Sequence, residues 1–178
     1  MERINYKIDK AESRIAWLGK RVTGSHQGTI DITDGVLTMD DGELAAGEFI
    51  VDTRSIKILN ITDPDTNQQF AGHLASEDFF ASGDYPTANL MISKVSKHVN
   101  TNYHIAADLT IKGISKPIAF DAEVEKLNIN TLKASGKLLI DRTKYNMKFR
   151  SGQFFKDLGD ALIYDEFTLN VQLTARAS

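Results

Sequence analysis

Between Tyr103 and Ala175, apolar and polar residues alternate in one run after another. Tyr103, Ile105, Ala107, Leu109 and Ile111 are separated by His104, Ala106, Asp108 and Thr110. Side chains alternate across a strand, so this run carries one apolar face and one mostly polar face. Ile118, Phe120, Ala122 and Val124 interleave with Ala119, Asp121 and Glu123, and Phe167, Leu169, Val171 and Leu173 interleave with Thr168, Asn170 and Gln172. Period two predicts half-buried antiparallel strands. The inward parity also holds Ala107, Ala122, Ala134 and Gly136, smaller than the groups with which a small barrel fills its own interior. The pattern therefore describes a sheet that curls round an unfilled middle. The competing role for such small residues is to let strands bend or a helix approach closely.

Strands are predicted near residues 4–8, 14–21, 24–33, 35–39, 43–52, 88–95, 103–111, 118–125, 132–141 and 166–174. Asp34-Gly35, Asp41-Gly42, Asn100-Thr101-Asn102, Gly113 with Pro117, and the stretch from Asn128 to Asn130 supply the reversals between them. Two segments break the alternation. Over residues 63–82 the spacing turns helical, with Asp65 or Thr66 as the cap of a helix holding Phe70 and Leu74 on one face, and Ser76 capping a short turn that presents Phe79 and Phe80. A second short helix is predicted over residues 153–158, carrying Phe154 and Phe155 and stopping at Gly159. No linker or repeat divides the chain, so a single domain over residues 1–178 is expected.

At 178 residues the chain can bury a core without staples, and it has no cysteine, which removes disulfides, thiolate metal sites and cysteine nucleophiles. The net charge of −3 argues against nucleic-acid binding and against a general attraction to anionic lipid. Its distribution is uneven: seven acidic and no basic residues lie from Asp31 to Asp52, and seven basic residues accompany only Asp141 from Lys126 to Arg150. No leader precedes the first strand and no run approaches the ~20 apolar residues of a membrane span, so a cytoplasmic protein without stable membrane insertion is expected, or a periplasmic one if a leader was removed.

Among candidates for chemistry, His26, His73, His98 and His104 show no metal-ligand spacing, and Ser25-His26 would place nucleophile and base on opposite strand faces. No phosphate loop is present. Arg142 shares the inward parity of Leu138 and Ile140, so its guanidinium either meets a ligand head group or pairs with a buried acid such as Asp52 or Asp141 to close one end of the barrel.

Six segments in order carry a family resemblance: Gly24-Ser25-His26-Gln27-Gly28; Phe49-Ile50-Val51-Asp52-Thr53-Arg54-Ser55-Ile56; His73-Leu74-Ala75-Ser76-Glu77-Asp78-Phe79-Phe80 leading to Tyr85-Pro86; Asp108-Leu109-Thr110-Ile111-Lys112-Gly113-Ile114-Ser115-Lys116-Pro117; Ile140-Asp141-Arg142-Thr143-Lys144-Tyr145-Asn146; and Leu158-Gly159-Asp160. Together they resemble the YceI-like lipid-binding family. The resemblance implies an all-β, extended antiparallel β-barrel of lipocalin-like form with two short helical inserts. It further implies an interior that holds a long apolar molecule such as a polyisoprenoid or isoprenoid quinone, no catalytic activity, and a homodimer.

The expected ligand-binding residues are Trp17, Phe49, Val51, Phe79, Phe80, Ile105, Leu109, Phe120, Leu138, Ile140, Arg142, Phe149, Phe154, Phe155, Phe167 and Leu169. No catalytic or metal site and no cofactor are expected, apart from the polyisoprenoid or quinone as ligand. The rivals are a lipid-modifying enzyme using the same cavity and a protein interaction module with a filled core. An incompletely paired barrel edge and outward apolar residues such as Leu139 and Ile50 add a reason to expect self-association.

Overall fold

The computed structural model of the chain describes residues 2–177. Nine strands form one antiparallel sheet: β1 (Arg3–Ile8), β2 (Arg14–Arg21), β3 (Gly24–Asp40), β4 (Glu43–Ile58), β5 (Thr87–Lys97), β6 (Asn102–Ile111), β7 (Ile114–Asn128), β8 (Thr131–Asp141) and β9 (Ile163–Ala177). The order β3-β2-β9-β8-β7-β6-β5-β4 closes on itself through the β3–β4 pairing, giving an eight-position barrel. β1 and β2 share one of those positions. β1 pairs with Val36 to Asp40 of β3 and Ala175 to Ala177 of β9, whereas β2 pairs with Gly24 to Ile30 and with Ile163 to Gln172. Between them the chain steps aside in a single 3-10 turn, Lys10–Glu12, whose Ala11 N–H is capped by the Asp9 carboxylate at 3.1 Å. Every described strand thus has a neighbour on both sides, and the incompletely paired edge expected from sequence is closed.

The runs at 24–33 and 35–39 are a single strand. Asp34-Gly35, read as a turn, is a bulge within β3: the register with β4 shifts between Ile32 and Asp34, and Asp34 Oδ1 accepts the Gly35 N–H at 2.8 Å. Gly35 is required there because a Cβ would lie 2.7 Å from Ile8 Cγ1. The true hairpin is Asp41-Gly42, where φ is +50° and +83°, the pair of positive angles that a two-residue reversal demands.

Inward parity is well kept in β8, where Leu132, Leu138 and Ile140 are buried between exposed Lys133, Lys137 and Leu139. At the end of the barrel formed by the β3–β4, β5–β6 and β7–β8 turns, Tyr6, Met39, Leu44, Tyr103, Leu132 and Ala175 pack into a solid floor. The Leu44 N–H donates to Tyr103 Oη at 3.3 Å, so the one polar atom of that ring is satisfied within the floor.

Two inserts cover the opposite end. Helix α1 (Pro64–Leu74) begins two or three residues earlier than predicted, because Pro64 occupies its first position and leaves Asp63 as the cap, accepting the Thr66 N–H at 2.9 Å. Ser76 caps nothing; its hydroxyl donates back to the His73 carbonyl at 2.6 Å as the chain turns toward Phe79. The crossover from β8 to β9 contains 3-10 turns at Arg142–Tyr145 and Gly159–Ala161. The helix predicted at 153–158 is absent: six residues are too few to recover the cost of nucleation, and Asp157 adopts a left-handed φ of +58°.

Candidate ligand-binding site

Above the floor lie two cavities in sequence. The deeper one, about 120 Å³, is walled by Phe49, Leu90, Ile105, Phe120 and Leu138, with Ala122, Ala134 and Gly136 on the same inward parity. The upper one, about 350 Å³, is bounded by Trp17, Phe79, Phe80, Ile140, Phe149 and Phe167 and roofed by Phe70 and Leu74 of α1. Ile15, Val51, Ala88, Leu109 and Leu169 belong to both walls, so the two cavities adjoin along the barrel interior and together are called the chamber. Inward residues at mid-barrel such as Phe120 and Ala122 keep an intermediate accessibility, while Tyr103 and Leu132 in the floor have essentially none.

The small inward residues divide between the two roles open at the level of sequence. Ala122 and Ala134 face the deeper cavity, whereas Ala107 is 1% exposed and lines neither. Gly136 does both, since a Cβ there would sit 3.3 Å from the Asp121 carbonyl oxygen and hold β8 away from β7. Gly28 is the sharpest case. A Cβ would fall 1.6 Å from the Lys57 carbonyl oxygen and 2.8 Å from Trp17, so only glycine lets β4 close while the indole lies across the upper chamber. Trp17 Nε1 spends its proton on the Thr29 carbonyl at 3.3 Å, leaving an apolar ring to the cavity.

Aromatic edges build the roof. Phe79 and Phe149 meet with centroids 5.9 Å apart, His73 stands edge-on to both at 5.0 and 4.6 Å, and Phe80 meets Phe167 at 6.4 Å. His73 Nε2 lies 3.0 Å from the Asp78 carboxylate, which fixes the ring from outside.

Arg142 pairs with neither Asp52 nor Asp141, contrary to one of the two roles expected for it. Its Nε donates to the Tyr164 carbonyl at 3.1 Å, Nη1 to Met147 at 2.6 Å and Nη2 to Ile163 at 3.1 Å, while the guanidinium passes 5.8 Å from the Phe79 ring. Asp52 is engaged by Arg54, and Asp141 accepts from Thr143. Burial lowers the Arg142 pKa, opposed by the charges of Asp165 and Asp141. The buried cation therefore staples the crossover to the start of β9 and forms part of the chamber wall.

Of the expected residues, Phe154 and Phe155 line neither cavity; they stand about half exposed on the outside of the crossover. The other fourteen meet in the chamber. Sequence reasoning missed the polar rim of the mouth: His26, with Lys20, Arg21, Arg150 and Glu166. His26 lies on the inward parity of β3 with Gly28 and Ile30, which was the available signal. Its ring is 4.5 Å from Phe70, its Nδ1 is buried without a partner, and burial followed by the Arg21 charge lowers its pKa. Among the described residues, no three His, Asp or Glu converge as metal ligands would.

A closed antiparallel barrel with a packed floor, apolar inner cavities and an aromatic roof has the lipocalin-like form. The chain belongs to the YceI family: the YceI-like domain matches residues 6–175. It is 33% identical to the UPF0312 protein plu2095 of Photorhabdus laumondii and 32% identical to Protein YceI of Escherichia coli O157:H7, each over 125 residues and 67% of this chain. The matched region spans 61% of the length of those relatives. In structure it is similar to Burkholderia cenocepacia BcnA, with a TM-score of 0.77 at 22% identity, covering 94% of this chain and 99% of that one. It is also similar to a polyisoprenoid binding domain from Saccharophagus degradans, with a TM-score of 0.70 at 14% identity and coverage of 98% and 99%.

Proposed function

We propose that the protein binds a long apolar molecule in the chamber, to store or carry it, and does not transform it. The ligand is a polyisoprenoid, an isoprenoid quinone or a lipid of fatty-acid type. The observation that carries this reading is the pair of adjoining, mostly apolar cavities in the barrel, with a packed floor below and an aromatic roof above. Each methylene moved into such a space from water gains about 0.8 kcal/mol, so a chain long enough to fill both cavities is held firmly without any polar contact. The Saccharophagus degradans neighbour, a polyisoprenoid binding domain, supports the choice of ligand class.

The polar end of the ligand is read from what the walls leave unspent. Thr53 Oγ1 is committed to the Tyr85 carbonyl at 2.7 Å and Arg142 to three carbonyls, whereas His26 Nδ1 has no partner. The unpartnered His26 Nδ1, with Arg21 and Arg150 on the same rim, supports a head group resting at the mouth. A binding role is favoured over catalysis because, among the described residues, neither His26 nor His73 has a hydroxyl nucleophile hydrogen-bonded to its ring. Homodimerisation belongs to the same proposal, through the outer face where Leu139 is 61% exposed; a monomer mass of 19.8 kDa by light scattering at all concentrations would refute that part.

Mass spectrometry of an organic extract of the purified protein tests the main reading. A long-chain lipid in near-equimolar amount is expected. An extract free of lipid, together with failure of the protein to take up prenyl or fatty-acyl probes, would overturn it.

A further inference from the structure

We infer that one side of the chamber mouth docks on anionic bilayers, so that the ligand passes between membrane and chamber without crossing water. The passage of ligand rests on the container reading above; the docking rests on the surface alone. Val22, at the tip of the β2–β3 hairpin, is 46% exposed, and Phe154 and Phe155 of the crossover are 49% and 48% exposed. They belong to one surface: the Val22 N–H donates to the Leu162 carbonyl at 3.2 Å, and the Ile163 N–H to the Arg150 carbonyl at 2.9 Å, tying hairpin tip to crossover. Scattered apolar residues on a surface need no explanation, but these stand among cations.

Exposed Lys20, Arg21, Lys144, Lys148, Arg150 and Lys156 occupy the same two segments, against Asp157 and Asp160 and, at the adjoining start of β9, Asp165 and Glu166. Lys148 Nζ lies 4.6 Å over the Phe154 ring. Aromatic side chains interleaved with lysine and arginine are the composition that sits at the headgroup level of an anionic leaflet, the rings entering the acyl boundary while the cations meet the phosphates. The overall charge of −3 conceals this patch, because most of the chain's 24 acidic residues lie elsewhere. Asp63, Asp65 and Asp84 lie in the segment that holds α1, Glu77 and Asp78 adjoin the crossover, where Lys112 Nζ bridges the carbonyls of Glu77 and Asn146, and Asp40, Asp41 and Glu43 lie at the floor end. The floor end also exposes Val99, Leu127 and Ile129, but there Arg3 and Lys97 are engaged by Asp40 and Glu43, which leaves them less free for lipid phosphates.

The geometry thus fixes the orientation. Lys20, Arg21 and Arg150 belong both to the patch and to the rim of the upper cavity, so docking by the crossover side brings the opening of the chamber against the membrane.

Sedimentation with vesicles provides the test. The protein should pellet with vesicles of equal phosphatidylcholine and phosphatidylglycerol, and not with phosphatidylcholine alone, and the bound fraction should fall as salt is raised. The double variants Phe154→Ser/Phe155→Ser and Lys148→Glu/Lys156→Glu should each weaken vesicle binding by about tenfold or more. Ile129→Ser, at the floor end, should leave it unchanged. In parallel, uptake of a farnesyl-linked fluorophore supplied in solution should be the same in all of these proteins, since none of the altered residues lines the chamber. Equal pelleting with both vesicle types, or pelleting indifferent to both double variants, overturns the docking and leaves the container standing. A wild-type protein that takes up no fluorophore overturns the container, while the vesicle series still decides the docking.

Discussion

Arg142 and Tyr145, three residues apart at the start of the crossover, are both buried and both polar, and they solve that problem in opposite ways. The guanidinium is spent on three main-chain carbonyls belonging to Met147, Ile163 and Tyr164. A lysine in its place offers one ammonium that cannot span those three acceptors, so Arg142→Lys is expected to cost about 3 kcal/mol in urea unfolding. Unchanged stability would mean that the staple contributes nothing. Tyr145 is 1% exposed and its hydroxyl has no partner. Replacing it with phenylalanine removes an unsatisfied group, and Tyr145→Phe should stabilise the protein by about 1 kcal/mol. Burial, and then the charge of Asp141, push the Tyr145 pKa from 10.0 up to about 12. A folded value above the unfolded one leaves stability intact below pH 10 and drains it as pH rises toward 12, by roughly 3 kcal/mol in all. The advantage of Tyr145→Phe should therefore widen above pH 10; an advantage that stays flat from neutral to alkaline pH would show that the phenol is not held in the protonated form.

The secondary elements were legible in the sequence wherever the alternation of side chains was the only influence. Inward parity places Ile105, Phe120, Leu138 and Phe167 on the chamber wall because nothing but the pleat decides which way they point. It fails at bulges. Asp34-Gly35 has turn chemistry, yet β3 continues through it, since the pairing of β1 and β4 on its two sides outweighs a local preference for reversal. The same holds at Ser93, where the β5–β6 register slips between Ile92 and Lys94. The crossover was misread for a different reason. Paired phenylalanines suggest a face to be buried, but the chain there is held by Ser151 and Gln153 donating to Asp165 at 2.6 and 2.5 Å, and that arrangement turns Phe154 and Phe155 outward. The elements that cover the mouth are accordingly α1 with the turn through Phe79 and Phe80, and the crossover only as far as Arg150. Amide exchange in those segments should slow when the chamber is filled, because ligand contact removes the openings that expose their amides. Residues 153–158 should exchange equally with and without ligand. Protection confined to 153–158 would reverse the assignment.

At the scale of the whole molecule, the floor sets how far a ligand can reach. Tyr6, Met39, Leu44, Tyr103 and Leu132 are buried in one cluster beneath the deeper cavity, so a chain entering beside α1 ends in that cavity, between β7 and β8 on one side and β4 and β5 on the other. Ala122 lies in that cavity, paired across the sheet with Gly136. A phenyl ring at position 122 has an existing void to occupy, so Ala122→Phe should fold with little loss of stability, unlike Ala107→Phe, which forces the same ring into a site already 1% exposed and fully packed. The deeper cavity would then be closed while the upper one keeps its walls. Denying a ligand the burial of about four methylenes removes roughly 3 kcal/mol, or about a hundredfold in affinity. Titration with prenyl probes of increasing length gives the comparison. In the wild type, affinity should rise with each added isoprene unit until the floor is reached; in Ala122→Phe it should level off earlier, with the shortest probes bound as well as before. Parallel curves for the two proteins would place the tail of the ligand outside the deeper cavity, and the length limit would have to come from the roof.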